Sequence, residues 1–217
     1  MNKLAGGSLA DRLAASGLLL EWDKEKNGSL TPDDVSPGSK KYVWWRCRYG
    51  HSWRARVASR VSGCGCPICA GKTVVSGFND LATFFPAVSD EWDYEKNGSL
   101  TPDAVTPSSN RRVWWRCRLG HEWQAVISAR THDMTKCPYC SGRRVLAGFN
   151  DLATTHPKLA AEWSHRLNGD LTPESVTAGS HKRVWWVCPQ GHEWRAMVFS
   201  RTGTRRHGCP VCAKTKD

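Results

Sequence analysis

The sequence predicts a small metal-stabilised α+β fold repeated three times in tandem. Three observations predict it. The segments KKYVWWRCRYGHSW, NRRVWWRCRLGHEW and HKRVWWVCPQGHEW are one element in three copies, with Cys47, Cys117 and Cys188 spaced 70 and 71 residues apart. Each copy carries C-x₃-H followed, after a gap, by C-P-x-C. The 217 residues include twelve Trp and ten Cys, a composition suited to many small cores built on indole and metal.

The repeat extends beyond the metal motif. EWDKEKNGSLTPDDV, EWDYEKNGSLTPDAV and EWSHRLNGDLTPESV precede the three knuckles, and GFNDLATFFPAVSDEW and GFNDLATTHPKLAAEW join the copies. The first copy has a divergent lead, SLADRLAASGLLLEW. One repeating unit of this length is the sequence signature of a modular array. The expected modules span 8–70, 77–141 and 148–213.

The ligand sets follow from spacing. They are Cys47, His51, Cys66 and Cys69; Cys117, His121, Cys137 and Cys140; and Cys188, His192, Cys209 and Cys212. The gaps between the two ligand pairs are 14, 15 and 16 residues, while the spacing inside each pair is constant. That is the pattern expected when only the pairs must meet at one ion. Sulfur-rich tetrahedral coordination suits Zn²⁺, and the expectation is three structural zinc ions per chain. An iron–sulfur site or a disulfide framework fits less well. Cys64 has no counterpart in the other copies and reads as an unused thiol, with a register slip onto the metal as the alternative. His132, His156, His165, His181 and His207 each occur in one copy only and read as surface residues.

Four protein ligands close a tetrahedral shell, so no position is left to activate water. Metal of this kind supplies folding energy, and stripping it is expected to unfold the chain.

Patterning predicts the elements. NDLATxxPxLxxEW reads as a helix interrupted at Pro86 and Pro157, with Asn79 and Asn150, or Asp80 and Asp151, as caps. NGSLTPDDV and its copies read as a turn and then a helical turn, with Thr31, Thr101 and Thr172 at the cap before proline. VWWRC reads as a strand. Gly50, Gly120 and Gly191 allow the tight turn between the first two ligands. A second strand follows, in which Trp53, Ala55 and Val57 alternate with Arg54 and Arg56. A return strand is expected to lead to C-P-x-C.

Most of the tryptophans are expected in the core. Trp44 and Trp45 are adjacent on a strand and point to opposite faces. One of them is therefore free to pack under the helix or to face a partner.

The string NDLATxxPxLAxEW…NGxLTPxxVTxGSxxxVWWxCxxGHEWxAxVxxR…GCPxC resembles the probable zinc-ribbon family of tandem repeats found in bacterial, phage and plant proteins. Its members look like treble-clef zinc fingers and are sometimes attached to nuclease-like domains. The resemblance covers nearly the whole chain, departing only in the first copy's lead. It implies a fold of knuckle, hairpin and a short helix carrying the last ligand pair, and it implies a nucleic-acid role.

Charge points the same way independently. The formal net charge is +11, unevenly spread. Residues 40–69, 110–140 and 181–212 together hold 19 basic and 3 acidic residues, while the rest of the chain holds 12 basic and 17 acidic. Three thiolates on each Zn²⁺ lower the loaded protein to about +8. The excess around the knuckles is the footprint expected for phosphate contact. Lys41, Arg111 and Lys182 stand six residues before the first ligand, and Arg60, Arg130 and Arg201 nine after the histidine. Both rows are expected phosphate contacts, joined by Arg54 and Arg56 on the outward strand face and by Arg195 in the third copy. Gln124 and Val126 replace that arginine pair in the second copy.

No enzyme is expected. Treble-clef nucleases of the His-Me type need a catalytic histidine on the hairpin, and here that histidine is spent on metal. The expected function is nucleic-acid binding, to double-stranded DNA first, with RNA possible as a target and a partner protein as the alternative. A single-stranded or RNA target would require exposed stacking aromatics. No run is long and apolar enough for a signal peptide or a membrane span. A reducing cytoplasm, with association to the nucleoid, is the expected location.

Overall fold

A computed structural model of the chain describes residues 8–204 and 207–214. The expected N-terminal reading therefore falls partly on residues outside the described set, as do residues 205 and 206 of the third expected module. By its contacts the chain forms two compact units. One runs to Val113 and takes in Val126–His132; the other holds Trp114–Ala125 and the chain from Asp133 on. The first unit contains the whole first copy. The second contains the zinc donors of the second copy and all the described residues of the third.

Among the described residues every element is short. Six strands have five residues each, and no helical segment exceeds seven. Pieces this short do not hold themselves in water, so caps, tryptophan packing and metal must hold them.

In the first copy the divergent lead forms a helix, Leu9–Ala15. Ser8 and Asp11 cap it reciprocally: Asp11 N–H donates to Ser8 Oγ at 3.2 Å, and Ser8 N–H to the Asp11 carboxylate at 3.0 Å. Its Leu9 and Leu13, four apart on one face, are buried. In the later copies Leu81–Phe84 and Leu152–Thr155 take this place, and a second turn follows at Pro86–Ser89 and Pro157–Ala160. The break falls at Phe85 and His156, with proline opening each second turn, as the sequence predicts.

The NG motif does more than turn the chain. Asn27 Nδ2 donates to the Trp44 carbonyl and Asn27 Oδ1 accepts from Trp44 N–H, both at 2.8 Å. Asn168 does the same for Trp185. One side chain thus substitutes for a neighbouring strand at the hairpin edge, and Gly28 follows at φ 60° to turn the chain away.

The hairpin pairs β1 (Tyr42–Arg46) with β2 (Ser52–Arg56), antiparallel, with Trp45 opposite Trp53 and Trp44 opposite Arg54. The second copy has the corresponding sheet of β3 (Arg112–Arg116) and β4 (Glu122–Val126). The third pairs β5 (Arg183–Val187) with β6 (Glu193–Met197), Trp186 opposite Trp194. Trp45, Trp115 and Trp186 are fully buried, while Trp44, Trp114 and Trp185 on the other face are half-buried. Trp22 meets Trp45 edge to face at 5.5 Å, and Trp163 meets Trp186 likewise at 5.4 Å. The indole N–H of each inward tryptophan donates across the hairpin, to Ala55, Ala125 and Ala196.

The expected return strand is absent among the described residues. The chain after each hairpin is helical instead, at Val57–Val61, Ile127–Thr131 and Val198–Thr202. Val57 N–H is already bonded to the Lys41 carbonyl and Ala58 N–H to the Ser39 carbonyl, which fixes the first turn. Val57 and Arg60, three apart, then bury on one helical face.

Candidate metal centres

Two elements of each copy bring the ligands together. The hairpin turn supplies a cysteine and a histidine, and a later turn supplies the C-P-x-C pair. Between the first two ligands the chain reverses through Gly50, Gly120 and Gly191 at φ 84°, 81° and 81°, a left-handed conformation that favours glycine. Cys47 N–H donates to the His51 carbonyl at 3.0 Å and Gly50 N–H to the Cys47 carbonyl at 2.9 Å, closing the knuckle. The second ligand pair of the third copy lies at a helix, Pro210–Lys214. In the first two copies it lies on a single turn, with Ala70 N–H bonded to the Cys66 carbonyl and Ser141 N–H to that of Cys137.

All twelve expected ligands fall into three groups, Cys47–His51–Cys66–Cys69, Cys117–His121–Cys137–Cys140 and Cys188–His192–Cys209–Cys212, with the donor atoms of each group within 4.8 Å of one another. The nitrogen facing the thiols is Nδ1 in every case. Sγ–Sγ separations are 3.7 Å for Cys47–Cys69, 3.8 Å for Cys117–Cys140 and 3.7 Å for Cys188–Cys212. Sγ–Nδ1 separations run from 3.2 Å at His192–Cys212 to 3.9 Å at His51–Cys66. A tetrahedral zinc ion, with Zn–S of about 2.3 Å and Zn–N of about 2.05 Å, sets these edges at about 3.8 and about 3.6 Å. The donor sets fit one such ion each. They are too far apart for disulfides and too close to surround a cluster of irons.

Without the ion the three thiols cannot all ionise. Burial, and then the neighbouring Cys47 and Cys66 thiols, push Cys69 up to about 12. Cys140 is pushed up to about 12 and Cys212 to about 11 by burial and their own cysteine neighbours. Cys47 goes the other way: burial raises it, but backbone N–H groups of Tyr49 and His51 more than offset that. A divalent cation is what lets all three sulfurs be anionic at once. Zn²⁺ held by these four donors supplies folding energy and a closed shell.

The GFN segment after each of the first two ligand sets closes over it. Phe78 packs edge-on against the His51 ring at 4.2 Å, and Phe149 against His121 at 4.2 Å. Asn79 Nδ2 donates to the carbonyls of Ile68 and Thr73 at 2.8 and 2.9 Å, and its Oδ1 accepts from Val75 N–H at 2.7 Å. Asn150 repeats this with Tyr139, Arg144 and Leu146. Ile68 and Tyr139 stand between the last two ligands, so these asparagines clamp the ligand loop. The helix caps are the aspartates: Asp80 and Asp151 accept from Thr83 and Thr154 N–H, both at 2.8 Å. Burial raises both carboxyls, but the hydroxyl and N–H donors around them outweigh it and hold them low. The repetition of GFN between copies was the available signal for the clamp.

Cys64 is exposed and lies outside the donor set, and its carbonyl accepts from Arg60. His132, His165, His181 and His207 are exposed and His156 is half-buried.

The expected phosphate contacts divide. Lys41, Arg54, Arg56, Arg111, Lys182 and Arg195 are exposed. Arg60, Arg130 and Arg201 are not available to a phosphate: they are 3%, 6% and 7% exposed. Each is ion-paired, Arg60 to Glu21, Arg130 to Glu91 and Arg201 to Glu162. Each sits on the helix after the hairpin, which turns the side chain inward. Arg60 lies over Trp45 and Trp53 at 5.4 and 5.6 Å, and Arg201 over Trp186 and Trp194 at 4.7 and 4.9 Å. The ring faces receive guanidinium nitrogens that have no hydrogen-bond partner, Nε of Arg60 and Nε and Nη1 of Arg201.

Three closed donor sets of three sulfurs and one imidazole, each at the foot of a two-stranded hairpin, define an array of structural zinc fingers of treble-clef type. The family described as Probable Treble clef zinc finger domain matches the chain three times, over residues 18–72, 88–143 and 159–215, and the chain belongs to it. Among curated proteins none matches the chain. No helix among the described residues is long and apolar enough to cross a membrane.

Proposed function

We propose that the chain binds nucleic acid, with double-stranded DNA as its first target, through the outward faces of its zinc-finger hairpins, and that it catalyses nothing itself. One observation carries this reading: a set of exposed hairpin cations in the first and third copies carries no ion pair, while acids beside the hairpins do. In the first copy Lys41, Arg54 and Arg56 are exposed and carry no ion pair among the described residues. Lys182, Arg183 and Arg195 hold the same state in the third. Glu122 and Glu193, in contrast, are bound to Arg116 and Arg166. Beside the cations stand half-buried indoles and a tyrosine: Lys26 lies over Trp44 at 4.4 Å, Arg195 over Trp185 at 5.8 Å and Arg56 over Tyr42 at 5.3 Å. A face of unpaired guanidinium and ammonium groups attracts phosphate and releases counterions on binding. The closed donor shells support a scaffold role for the zinc, and free thiols held for metal suit a reducing compartment such as the cytoplasm.

The test is binding of the zinc-loaded chain to duplexes of unrelated sequence over a range of salt. The double variant R54Q/R56Q should weaken all of them alike and lower the slope of log K against log salt by about two. No binding at low salt, or an unchanged slope in that variant, would sink the reading.

A further inference from the structure

The first zinc knuckle and the lead that follows it carry aromatic side chains that the equivalent junction after the second knuckle lacks. Tyr49 is replaced there by Leu119 and Phe84 by Thr155. Tyr49 is 58% exposed, Phe84 61% and Phe78 38%. Three exposed aromatic rings are costly to leave in water unless something covers them. Together with Ile68 they line an open cleft of about 330 Å³. That volume is at the small end of ligand sites, and a single planar ring system fits it.

The walls are preset. Phe78 is held by its contact with the His51 ring, and Tyr49 stands 6.5 Å from Phe78, tilted by 49°. Arg48 lies over the Tyr49 ring at 4.8 Å and donates to its hydroxyl at 2.9 Å. The lining also includes the hydroxyl residues Thr106 and Ser108. No lining residue is acidic, and exposed Arg48 and Lys72 adjoin the cleft residues Tyr49 and Gly71. Aromatic rings and hydroxyls in the lining, with exposed cations next to lining residues, match a nucleobase carried on a phosphodiester strand. A hydrophobic peptide would use the rings but not the cations. Bases inside a duplex are stacked and cannot enter, so the base must be unpaired.

We propose that the cleft of Tyr49, Phe78 and Phe84 binds one unpaired nucleobase, so that the first knuckle and the lead of the second copy together prefer a single strand or a frayed end. The proposal rests on the nucleic-acid reading above and adds to it a target form and a site. It meets the condition set by the sequence, that a single-stranded target requires exposed stacking aromatics.

The experiment compares the zinc-loaded full chain on oligothymidine, on a duplex and on the same duplex with a single-stranded overhang, at one salt concentration. Tyr49→Ala and Phe84→Ala should each lower affinity for oligothymidine and the overhang by roughly tenfold, since stacking on one aromatic is worth about 1–3 kcal/mol. Duplex affinity should change less than about twofold, and Phe84→Trp should restore single-strand binding. Zinc content and circular dichroism of the variants check that these surface substitutions leave the fold intact. Unchanged single-strand affinity in both variants overturns the cleft assignment, as does an equal loss on single strand and duplex. Unchanged single-strand affinity in the variants while the chain still binds the duplex marks failure of the cleft, whereas failure of the nucleic-acid reading shows as no binding of the unaltered chain to any of the three.

Discussion

The guanidinium of Arg201 lies 2.7 Å from the carboxylate of Glu162 and over the rings of both Trp186 and Trp194. The same pair recurs as Arg60 with Glu21 and Arg130 with Glu91, always 39 residues apart in the chain. It ties the end of the lead to the helix after the hairpin. The arginine is buried and the glutamate about one-third exposed, so the carboxylate keeps part of its hydration while the cation relies on the pair and the indoles. Removing the arginine should therefore cost stability directly. Arg201→Ala should lower unfolding free energy by about 3 kcal/mol, the low end for breaking a buried pair. Arg201→Lys should recover little, because an ammonium cannot lie flat between two rings. Urea unfolding of the zinc-loaded variants measures this. The slope of nucleic-acid affinity with salt should stay unchanged in the same proteins.

The donor geometry predicts three zinc ions per chain, read by elemental analysis or native mass spectrometry. A chelator should collapse the circular dichroism spectrum, because elements this short depend on the metal. Zinc binds thiolates, so protons compete with it. Acid should release the metal and higher pH should tighten it, and adding zinc to the metal-free chain should acidify a weakly buffered solution. Binding without proton release would contradict coordination by three cysteines.

Asn79 and Asp80 are neighbours with separate jobs. Asn79→Ala removes the clamp on the Ile68 carbonyl, between Cys66 and Cys69. It should speed zinc loss from the first site to a chromogenic chelator severalfold, while the other two sites keep their rates. Asp80→Ala removes the cap of Leu81–Phe84 and should cost about 1–2 kcal/mol with little effect on zinc release. Cadmium-113 NMR of the substituted protein resolves the three sites, and equal behaviour of the two variants would refute the division.

Cys137→Ala leaves the second donor set incomplete. Phe149 and Asn150 close over that set, so the loss of order should run past Cys140 to Asn150. It should stop at Asp151, whose cap belongs to Leu152–Thr155. Amide NMR of the variant should show signals of 143–150 shifted or lost, with the third zinc retained. Normal signals over 143–150 would mean that the segment holds its place without the metal.

The sequence by itself determined the ligands, the three-fold repetition, the hairpins and the broken lead helices. These rest on local constraints. A metal shell needs Cys and His at set spacings, a strand alternates with period two, and proline cannot continue a helix. Tertiary structure alone decided which cations face water. Arg60 and Arg54 are the same kind of charge six residues apart, and nothing in their spacing separates them. Arg60 is buried because Glu21, 39 residues upstream, and two indoles wait for it across the fold. Val57 continues the alternation of the second strand in the sequence, yet the segment VASRV coils because Lys41 and Ser39 accept its first N–H groups. Asn79 could cap a helix from sequence alone. It clamps a zinc loop instead because the chain returns past Ile68, a contact that spacing along the sequence does not encode.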